Sequence, residues 1–279
     1  STGSTTAADS LTSFDSDGYT IDTAAYLNNA TKLYASWNWK MGTTTGIDTT
    51  GSTITPTAYS LNAAAGQSII TYTGNGVAGA LVPHGLGVAP DMIITKRLDT
   101  TSNWLVYTAD MGNTYAGFLD TTAVFSTDTG FWNNTSPTSV LFSLGTYAGV
   151  NENTGTYVAY CFTNTQGFSN FGRYEGNGDT NGTVVFTGFR PAFFIVKRSD
   201  STGNWMMYDD KREGYNPDND RLVPNETLAE ASSAIDILST GFKLRSTDTY
   251  LNVSGGDYFY MAFADAPLVN SSGIPVNAR

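Results

Sequence analysis

Few residues in this chain could carry catalysis. It contains one histidine, His84, and one cysteine, Cys161, which leaves little material for a histidine-based triad or a thiolate metal cluster. His84 lies in a Val-Pro-His-Gly sequence that is typical of a turn, where a capping role is expected. Cys161 lies within an apolar run, where a thiol is usually an unreactive core residue. The sequence therefore predicts a protein that is not an enzyme.

The carboxylates support two further kinds of site. A glycosidase needs two carboxyl groups about 5–10 Å apart across one cleft, but the five glutamates have positions typical of loops or exposed surfaces, namely Glu152, Glu175, Glu213, Glu226 and Glu230. Asp15 and Asp17 share a short Asp-Ser-Asp-Gly loop whose oxygens would suit Ca²⁺. The loop lacks the spacing of an EF-hand, and turn chemistry alone explains it. We therefore predict no cofactor, with calcium at Asp15 and Asp17 as the alternative.

Aromatic side chains offer a possible carbohydrate site, because sugar rings stack on exposed aromatic faces. Phe131 and Trp132 belong to a Gly-Phe-Trp-Asn-Asn sequence that resembles a surface loop, and we predict them as the glycan contact. Trp104 and Trp205 occupy matching positions of an internal repeat beside strand-like runs. A tryptophan that recurs in this way indicates a core position rather than a ligand platform.

Composition excludes other classes. Fourteen Lys and Arg against 25 Asp and Glu give a formal net charge of −11, which disfavours nucleic-acid binding because phosphate contacts need a basic surface. The sequence contains no run of 18 apolar residues, so it does not predict a membrane-spanning helix or membrane insertion. Aromatic residues make up 13% of the chain and charged residues only 14%, so a core can form under a polar, weakly charged surface. We expect an extracellular protein whose leader has been removed.

The elements that hold these residues recur along the chain, which contains an internal repeat. Tyr72-Thr-Gly-Asn-Gly recurs from Tyr174, and Met92–Arg97 recurs as Phe193–Arg198. Short apolar runs between turn residues predict strands throughout, apart from one helix at Asn225–Ile237. We predict an all-β fold with two tandem homologous jelly-roll-like β-sandwich domains, at residues 66–168 and 169–267, followed by a tail at 268–279.

The first 65 residues predict a partial third copy, with strands at about residues 11–40, and a Thr/Gly-rich linker. Leu33, Trp37 and Trp39 alternate with polar residues at the period of a half-buried strand. A lone strand pair is marginally stable, so its apolar side chains need a surface to cover them. The residues assigned to this surface are Phe14, Tyr19, Ile21, Leu33, Tyr34, Trp37 and Trp39.

Several of these blocks resemble a repeat module found in predicted virion and tail-associated proteins of aquatic bacteriophages and in related bacterial genomes. The resemblance covers most of residues 11–279 and rests on Ser13–Tyr19, Tyr174–Gly178, Gly188–Pro191 and Met261–Ala264. The module is largely uncharacterised. The resemblance implies a structural or adhesive role and carries no catalytic residues.

These observations lead to two functional hypotheses. The first is a structural protein that assembles head to tail into an extracellular filament, a pilus-like fibre or a phage appendage, with its N-terminal strands docked on a neighbouring copy. The alternative arrangement is that the same N-terminal segment folds back on its own chain. The second is a carbohydrate-binding adhesin for attachment to a host or surface.

Overall fold

The computed structural model describes residues 10–212, 216 and 218–265, and within them the chain is all-β. It begins with a hairpin of β1 (Leu11–Phe14) and β2 (Tyr19–Ile21), which pair antiparallel. The chain then continues to residue 57 without a further named strand. Two sandwich domains follow, and every strand pairing in them is antiparallel.

The first domain has two sheets. Its strands are β3 (Ala58–Asn62), β4 (Gln67–Thr73), β5 (Ala80–Pro83), β6 (Met92–Arg97), β7 (Trp104–Thr108), β8 (Tyr115–Phe118), β9 (Ser126–Thr127), β10 (Leu141–Leu144) and β11 (Thr156–Phe162). Two four-residue helices, α1 (Thr129–Trp132) and α2 (Ala148–Asn151), and a 3-10 turn at Ala63–Ala65 join them. The main sheet has the order β3-β4-β11-β6-β7-β8-β9, and β10 pairs with β5 in the second sheet.

The second domain repeats this plan. Its strands are β12 (Ser169–Glu175), β13 (Val184–Phe186), β14 (Phe193–Arg198), β15 (Trp205–Asp209), β16 (Asp218–Arg221), β17 (Ala231–Leu238), β18 (Gly241–Leu244) and β19 (Asp257–Phe263). The main sheet is β12-β19-β14-β15 and the second is β13-β18-β17-β16. The order β4-β11-β6-β7 of the first domain matches β12-β19-β14-β15, and β5-β10 matches β13-β18.

The recurring sequence blocks hold equivalent contacts in the two domains. Tyr72 stacks on Tyr157 with ring centroids 5.1 Å apart, and Tyr174 stacks on Tyr258 at 5.0 Å. The Tyr72 hydroxyl donates to the Val150 carbonyl at 2.8 Å, and Tyr174 makes the matching bond at 2.8 Å. The repeated tyrosines therefore fix the loop that precedes the last strand of each domain.

Each sandwich encloses its own apolar core, and a third core lies between the domains. There the outer faces of the two main sheets pack against each other. Phe162 on β11 lies 5.6 Å from Phe263 on β19, measured between ring centroids. Trp205 is fully buried, and its indole N–H donates to the Phe118 carbonyl at 2.8 Å. The two domains therefore share buried apolar surface.

The helix predicted at Asn225–Ile237 is wrong, because most of its second half forms β17. Ile235 and Ile237 are buried on one face of that strand, which pairs with β16 on one side and β18 on the other. Leu228, which the helical spacing placed with them, is 61% exposed. Ser233, Ile235 and Ile237 fit the period of two of a strand, and Leu228, Ala231 and Ile235 fit the period of 3.6 of a helix equally well. Pairing with the neighbouring strands decides in favour of the strand.

No helix among the described residues is long and apolar enough to span a membrane.

Candidate functional site

The N-terminal hairpin presents apolar side chains to solvent. Phe14 is 83% exposed, and Leu11 and Tyr19 are also exposed. Among the described strands, β1 and β2 pair only with each other. The hairpin therefore carries an uncovered apolar surface on an element that no other strand supports.

The hairpin turn is held by Asp15. Its two carboxylate oxygens accept hydrogen bonds from the Ser13 hydroxyl at 2.9 Å and the Thr20 hydroxyl at 2.8 Å, while its amide donates to the Gly18 carbonyl at 2.9 Å. Both Asp15 and Asp17 are exposed. Across the part of the chain that the structure describes, no group of three or more His, Cys, Asp or Glu could hold a metal ion. Asp15 therefore stabilises the turn between β1 and β2.

The strand predicted through Leu33, Trp37 and Trp39 is wrong, because residues 33–42 pair with no strand in the described structure. Leu33 is fully exposed. The segment is held instead through side chains, since the Lys40 carbonyl accepts hydrogen bonds from the Asn62 amide at 2.8 Å and the Gln67 amide at 3.0 Å. The alternation of residue types correctly grouped Trp37 and Trp39, but it did not hold for the exposed Leu33, and it could not provide a neighbouring strand.

Trp37 and Trp39 dock on the second domain of their own chain. Trp37 lies 5.6 Å from Phe193, and Trp39 lies 5.4 Å from both Phe193 and Phe263, in each case between ring centroids. Both indoles are half-buried at the rim of the interdomain core. This part of the N-terminal segment is therefore covered in cis, whereas the hairpin before it is not.

The docked segment forms one wall of a cleft of about 1210 Å³ against the second domain. Trp37 and Trp39 lie on that wall, and Asp209, Arg212 and Glu230 of the second domain also line the cleft. The cleft thus combines two partly exposed indoles with an ionic cluster.

The ionic cluster is organised around the buried Asp209. Its carboxylate accepts bonds from the Arg212 guanidinium at 2.6 Å and from the amides of Lys211 and Arg212 at 3.0 Å each. Burial alone would raise the pKa of Asp209, but these donors outweigh it and hold that pKa below its usual value. Arg212 also pairs with Glu230. This cluster was not predicted from the sequence. Its signal there is a difference between the repeats, because Thr108 occupies the position of Asp209 in the first domain.

The prediction that Phe131 and Trp132 are exposed is wrong. Their exposed fractions are 4% and 2%. Both belong to α1, whose N-terminus is capped by Asp128, and the helix turns the two rings into the first core. The Trp132 indole N–H donates to the Tyr115 carbonyl at 3.0 Å. A glycan therefore has no access to these rings.

His84 and Cys161 are fully buried. The His84 imidazole bonds the Thr138 carbonyl through Nε2 at 3.1 Å and accepts from the Leu86 amide through Nδ1 at 3.3 Å, so it holds a turn. Burial lowers the pKa of His84 to about 4 and raises the pKa of Cys161 to about 12. At neutral pH the imidazole and the thiol are thus both uncharged.

The repeated tryptophans pack in the interdomain core. Trp205 lies within it, and Trp104 packs against it while stacking on Tyr160 at 6.3 Å between centroids. Neither forms a free platform.

A family described as a domain of unknown function (DUF7483) matches residues 1–267. No curated protein and no solved structure matches the chain.

Proposed function

This chain belongs to the DUF7483 family, whose description states no activity, and from its surface we propose that it is a non-enzymatic structural protein that assembles head to tail with copies of itself. In this proposal the N-terminal hairpin of one copy docks on a neighbouring copy. The support comes from where apolar side chains are exposed and from what the hairpin lacks.

The distribution of exposed apolar side chains carries the proposal. Among the described residues, twelve large hydrophobic side chains are exposed, and six of them lie between residues 11 and 34. They are Leu11, Phe14, Tyr19, Tyr26, Leu33 and Tyr34. Clustered exposed apolar groups of this kind mark interaction surfaces, whereas single ones need no explanation. Half of the exposed set therefore belongs to less than a tenth of the chain.

The hairpin also has little stability of its own. An isolated two-stranded hairpin is marginal in water, and its two outer edges offer unpaired N–H and C=O groups to any strand that approaches. Docking on another copy would bury the exposed rings and pair one of these edges. Both effects favour assembly over the free hairpin.

A contact between the hairpin of one copy and a different surface of the next is heterologous, and such a contact produces an open chain unless the rotation closes a ring. We accordingly propose a filament. The low charged fraction of 14% and the resemblance to the phage virion module support placing it outside the cell, as an appendage of a virion or as a pilus-like fibre.

Sedimentation velocity and negative-stain microscopy of the full chain test this function. Phe14→Ser and Leu33→Ser together remove two highly exposed apolar side chains and leave the described cores intact. We expect concentration-dependent polymers for the unaltered chain and monomers for this variant. Val77→Ser with Val88→Ser is the control, because these valines are 59% and 55% exposed on the first domain. A monomeric unaltered chain at high concentration would refute the proposal.

The cleft beside Trp37 supports a second candidate function, glycan binding by an adhesin. Half-buried indoles next to charged groups are the chemistry that holds sugar rings and their hydroxyls, and Trp37, Arg212 and Glu230 line one cleft. A glycan array probed with the full chain and with Trp37→Ala tests it. Binding that is lost in the variant supports an adhesin; no binding across a broad array excludes it.

A further inference from the structure

We infer that the free edge of β13 in the second domain is the acceptor for the hairpin of a second copy. This inference rests on the proposed function and adds the site at which the neighbouring copy is held. It comes from comparing the two domains, because the first domain shows what occupies the same edge.

In the first domain the matching edge, that of β5, is covered. The amides of Thr53 and Ile54 donate to the Leu81 carbonyl at 3.0 and 3.1 Å, and the Leu81 amide donates to the Thr53 hydroxyl at 2.8 Å. The Ile54 side chain is buried in the first core. A bent stretch of chain at Thr53 and Ile54 therefore bonds this edge and fills the space beside it.

The register between the two domains identifies the equivalent edge. Gly79 donates to the Leu144 carbonyl at 2.8 Å, and Gly182 donates to the Leu244 carbonyl at 3.1 Å. Counting from these glycines, Val184 takes the place of Leu81. Two positions further along, Phe186 takes the place of Pro83, which has no N–H to offer.

In the second domain this edge is open. Val184 is 54% exposed and Phe186 is 65% exposed, while Val185 between them is buried. Because bonded positions alternate along an antiparallel pair, the backbone groups of Val184 and Phe186 point away from β18. Within the described part of the chain no segment pairs with them. Only residues 163–168 separate β11 from β12, so the linker before the second domain is too short to cover the edge as Thr53 and Ile54 do in the first.

The hairpin fits this edge in length, polarity and charge. β13 has three residues, and β1 and β2 have four and three. Leu11 and Phe14 would cover the exposed valine and phenylalanine. Residues 10–31 contain three aspartates and no Lys or Arg, and Lys243 lies opposite Val184 on the outward face of the sheet.

Docking would add the hairpin to the sheet β13-β18-β17-β16 of the next copy. The acceptor edge and the donor hairpin are different surfaces of one chain, so each copy can offer both at once. That is the arrangement a head-to-tail polymer needs.

Substitutions at the edge test the inference in the full chain. Phe186→Pro copies the first domain at this position, so the fold should accept it, and it removes both the outward N–H and the exposed ring. Val184→Ser removes a second apolar contact, and Val77→Ser is the matched control. By sedimentation velocity we expect each edge variant to weaken self-association about tenfold, with unchanged thermal unfolding of the monomer and no effect of the control.

Mixed disulfide formation locates the contact directly, because the single native thiol, Cys161, is buried. A Leu11→Cys copy mixed with a Val184→Cys copy should give a linked dimer on oxidation, whereas Leu11→Cys mixed with Val77→Cys should not. If Phe14→Ser with Leu33→Ser abolishes assembly but Phe186→Pro does not, this acceptor site is wrong and the proposed function stands. Linkage within one chain carrying both cysteines would also overturn it, and an unaltered chain that stays monomeric overturns both.

Discussion

Replacing Trp39 by alanine should release the docked part of the N-terminal segment. The Trp39 ring meets Phe193 and Phe263 edge-on, each at 5.4 Å between centroids. Aromatic pairs of this geometry contribute about 0.5–1.5 kcal/mol each beyond the area they bury. Losing two of them should lower the free energy of local opening by roughly 2 kcal/mol. At 1.4 kcal/mol per factor of ten, the open population should rise about 30-fold.

Trypsin can measure that population, because Lys32 and Lys40 flank the docked tryptophans. Where opening and closing are fast relative to cleavage, the cleavage rate follows the open fraction. We expect mass spectrometry to show cleavage after Lys40 about 30-fold faster in Trp39→Ala than in the unaltered chain. Tyr26→Ala is the control, since this ring is 62% exposed. Equal rates for the unaltered chain and Trp39→Ala would show that these ring contacts do not hold the segment.

Three further predictions concern buried polar and aromatic groups. Burial lowers the pKa of His84 from 6.5 to about 4, so the unfolded chain binds more protons than the folded chain between these pH values. Urea titrations should therefore show the free energy of unfolding falling by roughly 2 kcal/mol from pH 7 to pH 4.5. The His84→Thr variant should lose this part of the pH dependence. Trp132→Ala should destabilise the first domain by about 3–5 kcal/mol in the same assay, whereas a surface ring would cost almost nothing. The Lys197 ammonium donates to the carbonyls of Gly203 at 2.6 Å and Thr122 at 3.3 Å. Lys197→Met should lower the midpoint of thermal unfolding, because it leaves both carbonyls without this donor. An unchanged midpoint would show that these two hydrogen bonds do not stabilise the fold.

Much of the fold could be predicted from the sequence because its signals are local. Short apolar runs between turn residues predicted an all-β chain, and the repeated blocks around Tyr72 and Tyr174 predicted matching elements. The interdomain core was missed although its signal was present. Phe193 to Val196 are all apolar, and a strand without alternation is one whose two faces are both buried.

The candidate site was harder to predict because it depends on partners rather than on residue types. Trp37 and Trp39 follow a strand pattern, yet a strand also needs a neighbour with free backbone groups, and the sequence does not say where one lies. Phe131 and Trp132 precede two asparagines, which suggests a loop, but a helix capped by Asp128 turns the rings inward. The edge at Val184 emerges only when the two domains are compared in space.

The face-to-face burial of the two main sheets has a consequence for how far this module can multiply. Met92 and Val106 of the first domain and Ile195 of the second are buried between the sheets, so either domain produced alone would expose an apolar sheet face to water. A third module would find no such face left to pack on. The two domains therefore keep this surface from water only as a pair, and in the proposed filament the contacts between copies fall to strand edges and chain ends.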